Sequence, residues 1–190
     1  MHLVVKIIYT VLVASFLLAC NDDAQQEQKT STSPAISEDE LIVRLSPDMV
    51  ASPQNQAERD RNEMLNFAID STWNVVATSS GLYYEIVESG TGEPLAWADR
   101  LEVHYEGFFM NGKKFDSSYD RNRTLQFYIG NMIDGWNEVL QLVRPRGKIN
   151  LLVPSRLAYG EKGLVTATGD TLVPPNQALA FKISVLKKIK

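Results

Sequence analysis

The sequence predicts an α+β domain, an antiparallel sheet folded over one short helix. Three observations carry that expectation. From Gly81 onward, apolar and polar residues alternate with period two in five separate runs. Turn-forming clusters such as "SGTGEP" and "MNGKKFD" punctuate those runs. In that region only "DGWNEVLQLV" breaks the alternation, placing Trp136, Val139, Leu140 and Val143 on one side of a short helix. The 190 residues hold one ordinary domain with length to spare.

Taken in chain order, the first element is a leader. "MHLVVKIIYTVLVASFLLAC" has one lysine, then a stretch from Ile7 to Leu18 without charge. That run is too short for a bilayer core of about 30 Å and fits the apolar centre of a signal peptide over residues 1–19. It ends in "LLAC", which resembles the lipobox of bacterial lipoproteins. In that resemblance the sulfur of Cys20 is alkylated by a diacylglyceryl group after export and the new amino terminus is acylated. Two or three acyl chains give stable anchoring where one is marginal. The mature protein is then expected in the cell envelope, lipid-anchored to a bacterial membrane outside the cytoplasm.

Residues 20–57 are rich in Gln, Ser, Thr, Pro and acids and are expected to be a flexible tether, with one apolar dock near Leu41 to Leu45. Residues 58–80 follow as a short helix and connector. There Met64, Leu65, Ala68 and Ile69 recur at helical spacing, a face expected to pack on the chain's own domain. Residues 81–190 form the main domain. Its strands are expected at "LYYEIV", "RLEVHYEG", "TLQFYI", "KINLLV" and "ALAFKISVL".

Composition narrows the chemistry. Nineteen basic against 23 acidic side chains give a net charge of −4, which leaves no basic footprint for nucleic acid. One cysteine excludes an intramolecular disulfide framework and a multi-cysteine metal site. Two histidines, His2 and His104, leave little for a metal site or a nucleophile–base pair. Large apolar side chains instead gather at element ends and loop edges, where concave apolar sites are built. Tyr105 precedes Gly107, Phe115 and Asp116 open a polar loop, "MIDGW" sits at a loop-to-helix junction, and "AYG" and "LVPP" flank a long connection.

These motifs in this order, "VHYEGFFMNGKKFDSSYDRN", "GW", "AYG" and "VPPNQALAFKISVLK", resemble the FK506-binding-protein (FKBP) family of peptidyl-prolyl isomerases over roughly residues 81 to 190. The resemblance implies an FKBP-like antiparallel half-barrel sheet wrapped around a short helix, with a shallow aromatic pocket between them. Carried over residue by residue, it assigns Tyr105, Phe115, Asp116, Trp136 and Tyr159 to the catalytic set, with Trp136 as the floor. Arg121, Leu125, Phe127, Met132, Ile133, Leu172, Val173 and Phe181 join them in binding substrate. The Ile133 N–H and the Tyr159 hydroxyl bond the peptide carbonyls, and Arg121 pairs with Asp116 or Tyr105. His104 is expected to be structural.

The implied activity is acceleration of Xaa–Pro bond rotation in envelope or exported proteins, without covalent or acid–base chemistry, cofactor or metal. The implied partners are proline-containing polypeptides and FK506-like macrolides, with the membrane reached through the lipid anchor and the protein acting as a monomer. A proline-peptide-binding chaperone with little turnover is the alternative reading. A structural lipoprotein with a closed pocket is the third.

Three departures from the family pattern accompany the resemblance. Leu125 stands where phenylalanine is common, the segment "FYIGNMIDGW" is short, and residues 164–171 lengthen a connection expected to form a flap over the pocket.

Overall fold

The computed structural model describes residues 36 to 189, so the leader, Cys20 and the first part of the expected tether lie outside the described residues. Helix α1 spans Glu38–Leu45 and α2 spans Gln56–Asp70. Nine strands follow, with helix α3 at Asp134–Val139 between the fifth and sixth. The strands are β1 Val76–Ala77, β2 Tyr83–Glu88, β3 Arg100–Phe109, β4 Lys114–Ser117, β5 Leu125–Tyr128, β6 Lys148–Val153, β7 Leu164–Val165, β8 Thr171–Val173 and β9 Leu179–Ile189. All pairs are antiparallel, and the main sheet runs β1-β2-β6-β9-β3-β4 with β5 also pairing β3.

The expected α+β fold is present, and the alternation along the strands explains its layering. Leu151 faces Phe181 across the β6–β9 pair, and both belong to the core beneath α3 with Trp136, Val139 and Leu140. Their neighbours Leu152 and Ala180 face one another on the opposite side of the sheet, as successive strand residues must. There they join Leu41, Met64, Leu65, Ala68 and Trp73 in a second buried cluster. The sheet thus carries α3 on one face and α1 with α2 on the other. Small side chains at Ala178 and Ala180 let the outer helices lie close to it.

The expected flexible tether is corrected over its second half. Residues from Ser37 onward fold, because Ser37 and Glu40 form a reciprocal capping box and Leu41 and Leu45 are buried against α2. The segment between the two helices is held as well, since Asn62 accepts from the Val50 N–H at 2.9 Å and donates to the Val50 carbonyl at 2.7 Å. Helix α2 therefore begins at Gln56, with Asn55 as its cap, two residues before the expected boundary. Its buried Asp60 accepts from both the backbone N–H and the hydroxyl of Ser155 at 2.7 Å. That carboxylate locks the helix to the segment following β6.

Residues 164–171 take regular structure. They form the β7–β8 hairpin, whose turn is closed by Thr166, Thr168 and Asp170. Leu164 and Leu172 rest on the inner core.

Candidate active site

The site is built where β3, β4, β9 and the first turn of α3 meet. Gly135 in that turn allows helix and sheet to approach, since a Cβ there would lie 2.6 Å from Val153. Trp136 is thereby pressed into the inner core with 2% exposure. Its ring meets Tyr105 and Phe181 edge-on at 5.3 Å each and Phe127 at 5.7 Å. Gly107 does similar work on β3, because a Cβ there would strike the Phe115 ring at 2.7 Å. Its absence lets Phe115 stand against Phe181, with ring centroids 5.9 Å apart.

Eight of the thirteen residues proposed for catalysis and substrate binding line one small concavity of about 40 Å³. They are Tyr105, Phe115, Asp116, Met132, Ile133, Trp136, Tyr159 and Phe181. Arg121 lies at the rim. Its guanidinium donates to the Tyr105 hydroxyl at 2.7 Å and pairs with Asp116, while the Tyr105 hydroxyl donates to the same carboxylate. Asp116 also accepts from the Ser117 N–H at 2.8 Å. The expected pairing of Arg121 with one of the two is thus a closed ring of all three, with the cation over the Tyr105 face at 5.6 Å.

The other four stand outside the lining. Phe127 is buried beside the Trp136 ring, because it shares with Leu101 and Val103 the face of the sheet that meets α3. Leu125 pairs with Val103 across the β5–β3 ladder and packs on the core. Leu172 and Val173 lie on β8 and turn into the core beside Leu164. No residue of 164–171, the stretch expected as a flap, is part of the lining.

The polar loop is locked by its two serines. The Ser117 hydroxyl accepts from the Tyr119 and Asp120 N–H groups, and Ser118 accepts from the Tyr105 N–H at 2.8 Å. His104 shares a 2.9 Å hydrogen bond with Ser118 and stacks on Tyr119, in keeping with a structural role.

Sequence reasoning missed Asn137. Its side chain accepts from the Gly130 and Met132 N–H groups and donates to the Met132 carbonyl at 2.7 Å. That clamp is how the short 130–133 loop still delivers Met132 and Ile133 to the pocket. The available signal was an amide placed next to Trp136 in a helix whose other buried positions are apolar.

Two donors at the concavity remain available. Among the described residues nothing accepts from the Ile133 N–H or the Tyr159 hydroxyl. Burial pushes the Tyr159 phenol above its ordinary pKa of 10.0, so it stays a neutral donor. The buried Trp136 Nε1 also has no partner within the described chain. Asp116 is spent on Arg121, Tyr105 and Ser117, and no proton relay leads from it. The arrangement suits apolar binding with hydrogen bonds to a carbonyl, not acid–base work.

Known proteins place the chain. One curated relative is a probable FKBP-type peptidyl-prolyl cis-trans isomerase of Haemophilus influenzae, 41% identical over 113 residues, which are 60% of this chain and 45% of that protein. Another is the peptidyl-prolyl cis-trans isomerase Mip of Coxiella burnetii, 37% identical over 112 residues, 59% of this chain and 46% of that one. The chain thus spans less than half the length of the curated relatives it matches. Among solved structures, FkpA from Escherichia coli aligns with a TM-score of 0.60 at 32% identity, covering 77% of this chain and 63% of that one. A peptidyl-prolyl cis-trans isomerase from Pseudomonas syringae aligns with a TM-score of 0.59 at 28% identity, covering 74% and 99%. The family profile for FKBP-type peptidyl-prolyl cis-trans isomerase matches residues 92–186, half of the chain, and so the chain belongs to that family.

Proposed function

We propose that the chain is a peptidyl-prolyl cis–trans isomerase that accelerates Xaa–Pro bond rotation in envelope or exported proteins. The observation that carries this reading is the pairing of an aromatic concavity over Trp136 with two available donors at its edge, the Ile133 N–H and the Tyr159 hydroxyl. Rotation about the imide faces a barrier of about 18–20 kcal/mol, because amide resonance is lost as the bond twists. The planar amide is the more charge-separated form, so the apolar surface of Phe115, Trp136 and Phe181 favours the twisted form relative to water. Donors that meet the carbonyl best after it has turned bind that state more tightly than the ground state, which is what lowers a barrier. The Tyr105–Asp116–Arg121 ring holds the Phe115 wall in place. In this reading Leu125, Phe127, Leu172 and Val173 support the pocket from behind.

FK506-like macrolides, which present a proline-like ring, are expected to compete for the same concavity. The leader and Cys20 support an envelope protein held on a membrane by lipid. The test is a cis–trans assay on a short Xaa–Pro peptide with and without FK506. Acceleration abolished by the drug is expected. Drug binding without acceleration would move the assignment to a proline-binding chaperone, and an inert protein would overturn both.

A further inference from the structure

Beside the prolyl pocket runs a larger groove of about 540 Å³, between α2 and the end of the main sheet. We propose that this groove is an accessory subsite for the client chain, taking the extended polypeptide that flanks the proline. The inference rests on the isomerase reading and names which substrates that activity favours.

The groove is continuous with the prolyl pocket. Phe109 lines the groove and its ring lies 5.0 Å from Phe115, the wall of the prolyl pocket. Pro174, also in the groove, directly follows the buried Val173. An extended chain advances ~3.3 Å per residue, so about two residues carry it from one ring to the other. A tetrapeptide centred on its proline ends at the mouth of the groove, while a longer chain continues into it.

Its lining is chemically suited as well. Phe109, Met110 and Pro174 supply apolar surface, and the amides of Asn66, Asn111 and Gln177 surround it. Among the described residues, the side chains of Asn66 and Gln177 have no hydrogen-bond partner. Amides donate and accept, as an extended backbone needs on each residue, without selecting a side chain. Glu63 and Lys113 contribute one charge of each sign, so net charge does not choose the occupant. That is the lining expected for polypeptide main chain with apolar side chains, not for a small anion or cation.

The groove exists because of the N-terminal helices. Asn66 belongs to α2, outside the family-matched residues 92–186. Helix α2 thus does more than cover the outer face of the sheet, since it supplies one bank of a channel that opens beside the pocket.

The experiment compares two substrates on the full chain. One is a proline tetrapeptide, and the other is an unfolded protein whose refolding is limited by one Xaa–Pro bond. The variant Asn66→Ala/Gln177→Ala removes two side chains that are not part of the inner core, and Met110→Ser separately lowers the apolar content. The double variant is expected to lose about 25-fold in kcat/KM on the protein substrate, about fivefold for each of the two hydrogen bonds removed. Its tetrapeptide kcat/KM is expected to stay within about twofold. A tetrapeptide rate retained together with an unchanged protein-substrate rate in both variants overturns the groove and leaves the prolyl pocket standing. A wild-type chain that fails on the tetrapeptide overturns the isomerase reading, and the groove's role with it.

Discussion

Tyr159 and Asp116 sit in one concavity but have opposite local circumstances. The Tyr159 hydroxyl has no partner among the described residues, whereas Asp116 is committed to Arg121, Tyr105 and Ser117. Replacing Tyr159 with Phe removes a donor without opening a cavity, and kcat/KM is expected to fall by about tenfold at most, the upper range for a single hydrogen bond. The same variant has a pH signature. Because burial raises the folded phenol's pKa above 10.0, its stabilisation is complete below that value and is lost as pH rises through the higher folded pKa. An alkaline unfolding series should show wild type losing stability above about pH 10 more steeply than Tyr159→Phe; parallel curves would contradict the assignment. Asp116→Asn leaves Arg121 without its counter-charge and loosens the Phe115 wall. It should lower activity by no more than about tenfold, where removing a general base would cost about 10²–10⁴-fold. Much of this residue set was legible in the sequence, because Phe115, Asp116 and Arg121 lie in one contiguous run. Asn137 was not, because a clamp on the preceding loop depends on a turn geometry that spacing alone does not reveal.

Among the elements, those read correctly from sequence were long enough to show a period. The strands β2, β3, β6 and β9 each run six residues or more, and β3 buries every second residue from Leu101 to Gly107, although the four-residue β5 was read as well, from "TLQFYI". The two-residue strands β1 and β7 offer no window in which a period can appear, and β4 is the mixed string KFDS. Helix α1 was misread for a different reason. The Ser, Gln and Pro content around it argues for a tether, yet "SEDE" is itself a capping box, followed by Leu41 and Leu45 at helical spacing. Helix α2 and its apolar face were legible, but its polar anchor was not, since Asp60 finds Ser155 across 95 positions of sequence. Asp60→Ala would leave that buried serine N–H without its acceptor. A loss of about 1–3 kcal/mol is expected in urea denaturation, with tetrapeptide turnover by the folded fraction unchanged.

On the scale of the whole molecule, the sheet is shared between two apolar clusters that meet across β6 and β9. The N-terminal helices are therefore part of the folding unit, although they lie outside the family-matched segment. Starting the chain after Trp73 would uncover Tyr83, Leu152, Ala178 and Ala180 together. Such a truncation should melt at a lower temperature and bind a hydrophobic dye, while the intact chain unfolds in one transition. Separate transitions in the intact chain would mean that the helices are an independent appendage. The helical side of the outer cluster was legible in Met64, Leu65, Ala68 and Ile69, but its seat on the sheet was not, because Ala178 and Ala180 carry little hydrophobic signal.

Rotation of the imide bond in the concavity around Trp136 is proposed to be sped without the movement of a proton. The most direct test is the rate of cis–trans exchange of one Xaa–Pro peptide with catalytic amounts of the protein, measured in H₂O and in D₂O. Clear acceleration, nearly equal in the two solvents, is expected. Exchange no faster than the uncatalysed rate, or acceleration that drops severalfold in D₂O, would contradict it.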